Sequence, residues 1–220
     1  MPPPRDSGIR AGVRAALPFV LPTLLLGVSF GVLAKPVMGT VAPIAMSVLV
    51  FSGGAQFAAL SVLASGGALA AAVAAGLLMN ARWVPMGFAI GPSLPGGARA
   101  RALQGQAIVD ASFAVSSRGD GTFDRCLLIG ATLPQASAWI AGTVLGVVAG
   151  DVLGDPSRLG LDAVFPAFYL ALLVQELRSR HAVAAALAGA AITAALMPAA
   201  PVGVPVIAAS LAALIGLRRP

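Results

Sequence analysis

The 220 residues are 58% hydrophobic and 10% charged, with a mean hydropathy of +0.93. A soluble domain carries about 25% charged residues, so this composition excludes one and calls for a chain that crosses a membrane several times. Fourteen Lys and Arg against eight Asp and Glu leave a charge of +6, which in a soluble protein would suggest a nucleic-acid partner but here marks cytoplasmic loops facing anionic headgroups.

Residues 1–14 are polar, begin with Pro2-Pro3-Pro4 and predict a disordered cytoplasmic tail. Three arginines followed by an apolar stretch imitate a signal peptide. The apolar part runs on to Ala34, too long for a signal core, and Val32-Leu33-Ala34 lacks the small-x-small cleavage pattern. The prediction is an uncleaved first span over 15–34, kinked by Pro18 and Pro22 and loosened by Gly27, Ser29 and Gly31.

An uncharged run then extends from 36 to 81, with room for two crossings at about 20 residues each. The first, over 40–64, has Ser52 at its midpoint, inside Phe51-Ser52-Gly53-Gly54-Ala55-Gln56-Phe57. Paired glycines weaken the helix and let other groups approach the backbone. Gln56 adds two donors and an acceptor that lipid cannot satisfy. Opened backbone at that depth is tolerated where it is buried in protein or lines a cavity, as in many transporter sites. A second half-helix beginning near Ala55 would offer free N–H groups to a carboxylate. Ser52, Gly53, Gly54 and Gln56 are therefore candidates for binding a zwitterion. The plainer alternative is that the small residues only let two helices pack closely.

Ser65-Gly66-Gly67 predicts a tight turn before a third span over 68–84, which ends in Asn80-Ala81-Arg82-Trp83 with Pro85 as a stop. Asn80 and Arg82 point to nearly opposite sides of the helix. Arg82 either snorkels to the headgroups, the commoner fate at a span end, or grips a substrate carboxylate. Residues 83–98, broken by prolines and glycines, and a more polar helix over 102–117 are expected to make one net crossing. Asp110 is the only acidic residue well inside an apolar-leaning helix, which suits proton coupling; the alternative is a structural pair with Arg82 or Arg101.

A charged loop at 118–125, a span at 126–150, an acidic loop over 151–162, a short span at 163–175 with Pro166, a basic turn at 176–181 and Ala-rich spans at 182–197 and 203–217 complete the chain. The expected fold is all-α: a polytopic membrane helix bundle of about 7–8 spans with broken helices, forming one transporter domain over 15–217. Leu17-Pro18 with Gly27 and Gly31 echoes Leu133-Pro134 with Gly142 and Gly146, a hint of related halves at 15–117 and 126–217. With eight crossings and both termini cytoplasmic, only Lys35, Arg82 and Arg158 of the fourteen cations fall outside.

Other chemistries find no support. Cys126 is the only cysteine, so there is no intrachain disulfide and no CxxC metal site. His181, the only histidine, lies in a loop beside Arg178 and Arg180 and is poorly placed to serve a buried nucleophile. No phosphate-binding Gly-rich loop with its Lys is present, so any driving force must come from a gradient or another subunit. Trp139, inside a span, is assigned to packing. No enzymatic activity, metal or cofactor is expected.

In order along the chain, GVRAALP (Gly12 to Pro18), GVSFG (Gly27 to Gly31), FSGGAQFA (Phe51 to Ala58), Asn80-Ala81-Arg82, Met86-Gly87 and DASFA (Asp110 to Ala114) resemble AzlC-type permeases, the large subunits of bacterial branched-chain amino acid exporters. The resemblance covers residues 8–215. It implies export of valine, leucine, isoleucine or similar apolar amino acids across the bacterial inner membrane, together with a small AzlD-like membrane subunit. This chain departs from the family at Trp83, where a His usually follows Asn-x-Arg, and at Ala111, where Asp-Glu is frequent. The combined expectation is substrate binding by Ser52, Gly53, Gly54, Gln56, Asn80 and Arg82, with Asp110 in proton coupling. The competing expectation is a membrane scaffold or accessory subunit with no substrate of its own.

Overall fold

The computed structural model describes residues 8–153, 170, 173–174, 177, 179–200 and 204–212. The expected tail before Gly8, the loop from 154, most of the short span at 163–175 and the end of the last span lie outside them, as do Arg5, Arg158, Arg178, Arg218 and Arg219. Among the described residues the structure is helical apart from one isolated antiparallel bridge between Ser117 and Phe123. It is a membrane helix bundle in which several of the helices are apolar.

Its axis is a pair of long helices, α1 (Ile9–Met38) and α8 (Arg125–Leu153), both apolar and long enough to cross a membrane. They touch backbone to backbone. A Cβ on Gly12 would lie 2.6 Å from the carbonyl oxygen of Leu127, and one on Gly27 would lie 2.6 Å from that of Trp139. On the facing helix, a Cβ on Gly142 or Gly146 would run into the carbonyls of Leu24 and Val28. Only glycine permits this approach, and such contact is how helices associate in lipid, where water gives no hydrophobic drive. The partners climb together: Gly12 by Gly130, Gly27 by Gly142, Gly31 by Gly146. The two helices are therefore parallel, and the echo in the sequence is a spatial pairing along one seam.

The stretch 40–64 does not form the expected crossing. Helix α2 (Val41–Leu49) runs back beside α8, with Ser47 Oγ 2.8 Å from Thr143 Oγ1. The chain reverses at Phe51 and Ser52. Phe51 is the only non-glycine among the described residues with positive φ, at 43°. Helix α3 (Gly53–Ala64) then returns toward the end where α2 began. Gln56 Nε2 donates to Ser47 Oγ at 2.9 Å. In one straight helix those residues would stand about 13 Å apart along the axis, so the bond requires a fold-back. The cause is local. Ser52 is extended and its Oγ accepts the Ala55 N–H at 3.4 Å, which starts a new helix instead of bending an old one.

Helix α4 (Leu69–Asn80) pairs antiparallel with α3 through a turn in which Gly66 has φ 78°. Its far end meets the α3 start, where Ser52 Oγ donates to Asn80 Oδ1 at 2.6 Å. Helix α5 (Trp83–Ile90) follows after a 44° bend, and the bent pair carried to Ser93 is apolar enough for a single span. A short 3-10 turn and α6 (Ala98–Gly105) lead into a second half-depth excursion. The chain climbs beside α8, where Thr132 Oγ1 donates to the Ala107 carbonyl at 2.5 Å. Helix α7 (Asp110–Ser116) brings it back, and the Asp124 N–H donates to the Ser116 carbonyl at 2.8 Å beside the start of α8.

Between α1 and α8, then, the chain traverses the bundle once, through α4–α5, where the sequence suggested three crossings. Both numbers are odd, so α1 and α8 still begin at the same end. Arg10, Arg14, Arg99, Arg101, Arg118 and Arg125 gather at that end, and Lys35 stands at the other. Helices α9 (Arg180–Leu196) and α10 (Val204–Ala209) pack together at Gly189 and Ala209, and α10 touches α4.

Candidate functional site

Two hairpin tips approach each other from opposite ends, part-way along α8. One is Phe51 to Gly54, at the α2–α3 reversal. The other is Val109 to Ala111, at the start of α7. With the α4–α5 bend at Arg82 and Trp83, and with Thr23, Gln135 and Trp139 from the long helices, they enclose a cavity of about 220 Å³.

The floor is the Trp139 indole. It stacks on Phe30 at 6.0 Å between centroids and meets Phe57 edge-on at 6.1 Å. A Cβ on Gly53 would stand 3.0 Å from the indole Cη2, so this glycine lets the helix start rest on the ring. Gly54 is less constrained, since a Cβ there would meet only the tip of Met79 at 3.3 Å and Arg82 Nη2 at 3.8 Å. Gly53 N–H, at the first position of α3, has no intrahelical acceptor and adds the positive end of a helix dipole to the wall.

Behind this wall lies a closed polar network. Gln56 is fully buried. Its Oε1 accepts from Trp139 Nε1 at 3.0 Å and from the Ser52 N–H at 3.3 Å, while its Nε2 donates to Ser47 Oγ. Ser47 Oγ also accepts from Trp139 Nε1 at 3.2 Å. Every donor and acceptor class on the amide is thus engaged by protein. Gln56 does not line the cavity; it fixes the indole and the hairpin tip that do. Asn80 likewise stands behind the wall, holding Ser52, and faces a separate apolar groove. The candidate residues therefore divide. Ser52, Gly53, Gly54, Arg82 and Asp110 share one cavity, and Gln56 and Asn80 support it.

Arg82 does not end a span. The traverse continues into α5, and the guanidinium lies at the bend, where Nη2 donates to Asp110 Oδ2 at 2.9 Å. The two side chains are 32% and 52% exposed, so the pair is open to the cavity rather than sealed in the bundle. Its single contact leaves capacity on the cation: Arg82 Nε is buried without an acceptor, and so is the neighbouring Trp83 Nε1. A buried donor left unmet costs about 1–3 kcal/mol. The cavity thus sets a cation and an anion against aromatic and aliphatic walls. Among the described residues no three His, Cys, Asp or Glu come together to hold a metal.

Trp139, Trp83, Thr23 and Gln135 were not among the residues singled out as binding candidates from the sequence. For α8 a signal existed: Gln135, Trp139 and Thr143 repeat every four residues and so lie along one face.

A family model described as "AzlC protein" matches residues 18–153. An "Uncharacterized membrane protein" from Archaeoglobus fulgidus is 31% identical over 94% of this chain and 93% of its own length. "Inner membrane protein YgaZ" from Escherichia coli is 26% identical over 86% of this chain and 82% of its own. "Branched-chain amino acid transport protein AzlC" from Bacillus subtilis is 24% identical over 78% of this chain and 70% of its own. No solved structure matches the chain.

Proposed function

The chain belongs to the AzlC family of membrane transport proteins, and from that premise we propose that it is a secondary transporter exporting branched-chain or other apolar amino acids across the bacterial inner membrane, together with a small AzlD-like subunit. The observation that carries the proposal is the meeting of three interrupted elements at one cavity. Each interruption delivers something a small zwitterion needs. The α3 start and Arg82 suit a carboxylate, Asp110 suits an ammonium, and Trp139, Phe51 and Val109 suit an apolar side chain. About 220 Å³ is below the roughly 300–1,000 Å³ of pockets for drug-sized ligands and fits a smaller solute. Irregular backbone around such a site is the usual construction in secondary transporters.

In this proposal Ser52, Gly53, Gly54, Arg82 and Asp110 touch substrate, and Gln56 and Asn80 hold the wall in place. Asp110 acts beside Arg82 as its counter-charge, a role its pairing favours over that of an isolated proton carrier. The arginines at the shared start of α1 and α8 support a cytoplasmic position for that end, by the positive-inside rule.

Vesicles loaded with labelled valine, carrying this protein and its partner, should lose valine faster than vesicles without them. Equal rates for valine and a dozen unrelated solutes would end the proposal. Failure to bind any amino acid, alone or with the partner, would leave an accessory subunit in its place.

A further inference from the structure

We infer that the Arg82–Asp110 ion pair selects α-amino acids by being split. The substrate gives its carboxylate to Arg82 and its ammonium to Asp110, so both free charges are required and they must be close together. This rests on the amino-acid reading above and assigns the element that enforces it.

The argument starts from the ligand. One carbon separates the two charges of an α-amino acid, so a complementary site must keep its own cation and anion side by side. Two such groups, left to themselves, pair with each other. The pair observed has the form expected of them. It is made through one contact, Nη2 to Oδ2 at 2.9 Å. That contact takes one N–H of a guanidinium that carries five, and the side chain is partly exposed, so a carboxylate has further donors to engage. Both side chains remain partly exposed, at 32% and 52%, so neither is closed off from a ligand in the cavity.

Selection follows from what each wrong ligand does. A plain carboxylate competes with Asp110 for Arg82 and leaves two anions facing each other. A plain amine does the converse to Arg82. An amino acid with its charges at opposite ends of the molecule cannot meet both groups in one cavity wall. Asp110 is thus the element that excludes anions, by repulsion. Its removal should admit them.

The test compares four ligands on the purified full-length protein, with its partner where the two purify together. They are L-valine, valinamide, 2-ketoisovalerate and 5-aminovalerate, the last an isomer of valine with distant charges. The wild type should bind valine at least tenfold more tightly than each of the others. Asp110→Asn should bind 2-ketoisovalerate at least as tightly as valine, and Arg82→Gln should do the same for valinamide. An Asp110→Asn protein that keeps the wild-type ratio of valine to 2-ketoisovalerate overturns the inference and leaves the amino-acid reading standing. A wild type that binds none of the four overturns that reading itself. Should Asp110→Asn fail to fold, the ratio of valine to valinamide on Arg82→Gln decides alone.

Discussion

The seam between α1 and α8 and the cavity beside it use glycine for opposite ends. Along the seam, Gly27, Gly31, Gly142 and Gly146 remove side chains so that two backbones can fill the space themselves. At the cavity, Gly53 and Gly54 begin a helix and bring its positive end to the cavity wall. The seam glycines face carbonyl oxygens and amide nitrogens, which cannot move without moving a helix. Gly54 faces the ends of Met79 and Arg82, which can. The same residue type thus marks a rigid part of the molecule in one place and an adaptable part in another.

Substitution should expose this difference. Gly146→Leu drives a side chain into the Val28 carbonyl. Overpacking costs about 1–3 kcal/mol where side chains can adjust, and more where the backbone must part. We expect no folded protein by size-exclusion chromatography in detergent. A monodisperse variant with an unchanged melting temperature would show the seam to be looser than described. Gln56→Leu should have the next largest effect. It leaves the Ser52 N–H without its acceptor and takes from Trp139 Nε1 the nearer of its two, at about 1–3 kcal/mol for a group left unmet. At roughly 2–4 °C per kcal/mol, the melting temperature should fall by several degrees, and valine binding should weaken as the indole floor loosens. Gly54→Ala should change the melting temperature little while lowering valine affinity several-fold in equilibrium binding. A fall in stability as large as that of Gly146→Leu would erase the contrast.

The smallest effect lies outside both regions. Asp124 caps α8, accepting from the N–H groups of Cys126 at 2.8 Å and Leu127 at 3.1 Å and from Arg118 Nη2 at 2.9 Å. Burial pushes its pKa up, but the guanidinium and the two amides outweigh burial and hold it below the ordinary carboxylate value. A depressed folded value adds stability above the unfolded pKa of about 3.9, and that contribution is lost as pH falls through the folded one. The melting temperature of the wild type should therefore slightly exceed that of Asp124→Asn at pH 6, and the gap should close as the pH falls below the ordinary carboxylate value. A gap that persists in acid would rule out the charge as its source.

The glycines of the seam stood out in the sequence, since those at 27 and 31 recur at 142 and 146, each set behind a Leu-Pro, but the pattern there suggested related halves rather than two helices in contact. The sequence also made the break at Phe51 to Gly54 legible, because a Gly-Gly pair with Gln56 suits no uninterrupted span. The reversal of the chain at that break was hidden. An apolar run from 36 to 81 is long enough to cross twice or to dip and return, and hydropathy reports length without direction. The position of Arg82 was obscured by Pro85, which looked like a stop. Pro85 stands in the first turn of α5, where a missing N–H breaks no helical bond, so the traverse continues past it. The Arg82–Asp110 pairing was among the options the sequence offered, but the cavity that gives it meaning needs three segments brought together from 28 or more residues apart.

That α1 and α8 set out from the same end has a practical corollary. Everything from Ile9 to Asp124 leaves one face and comes back to it, which makes this stretch a self-contained insertion module. The exposed loop at Gly119 to Gly121 is then a natural place to cut the gene in two. Fragments expressed separately would each enter the bilayer in their native sense and find one another by zipping glycine against glycine.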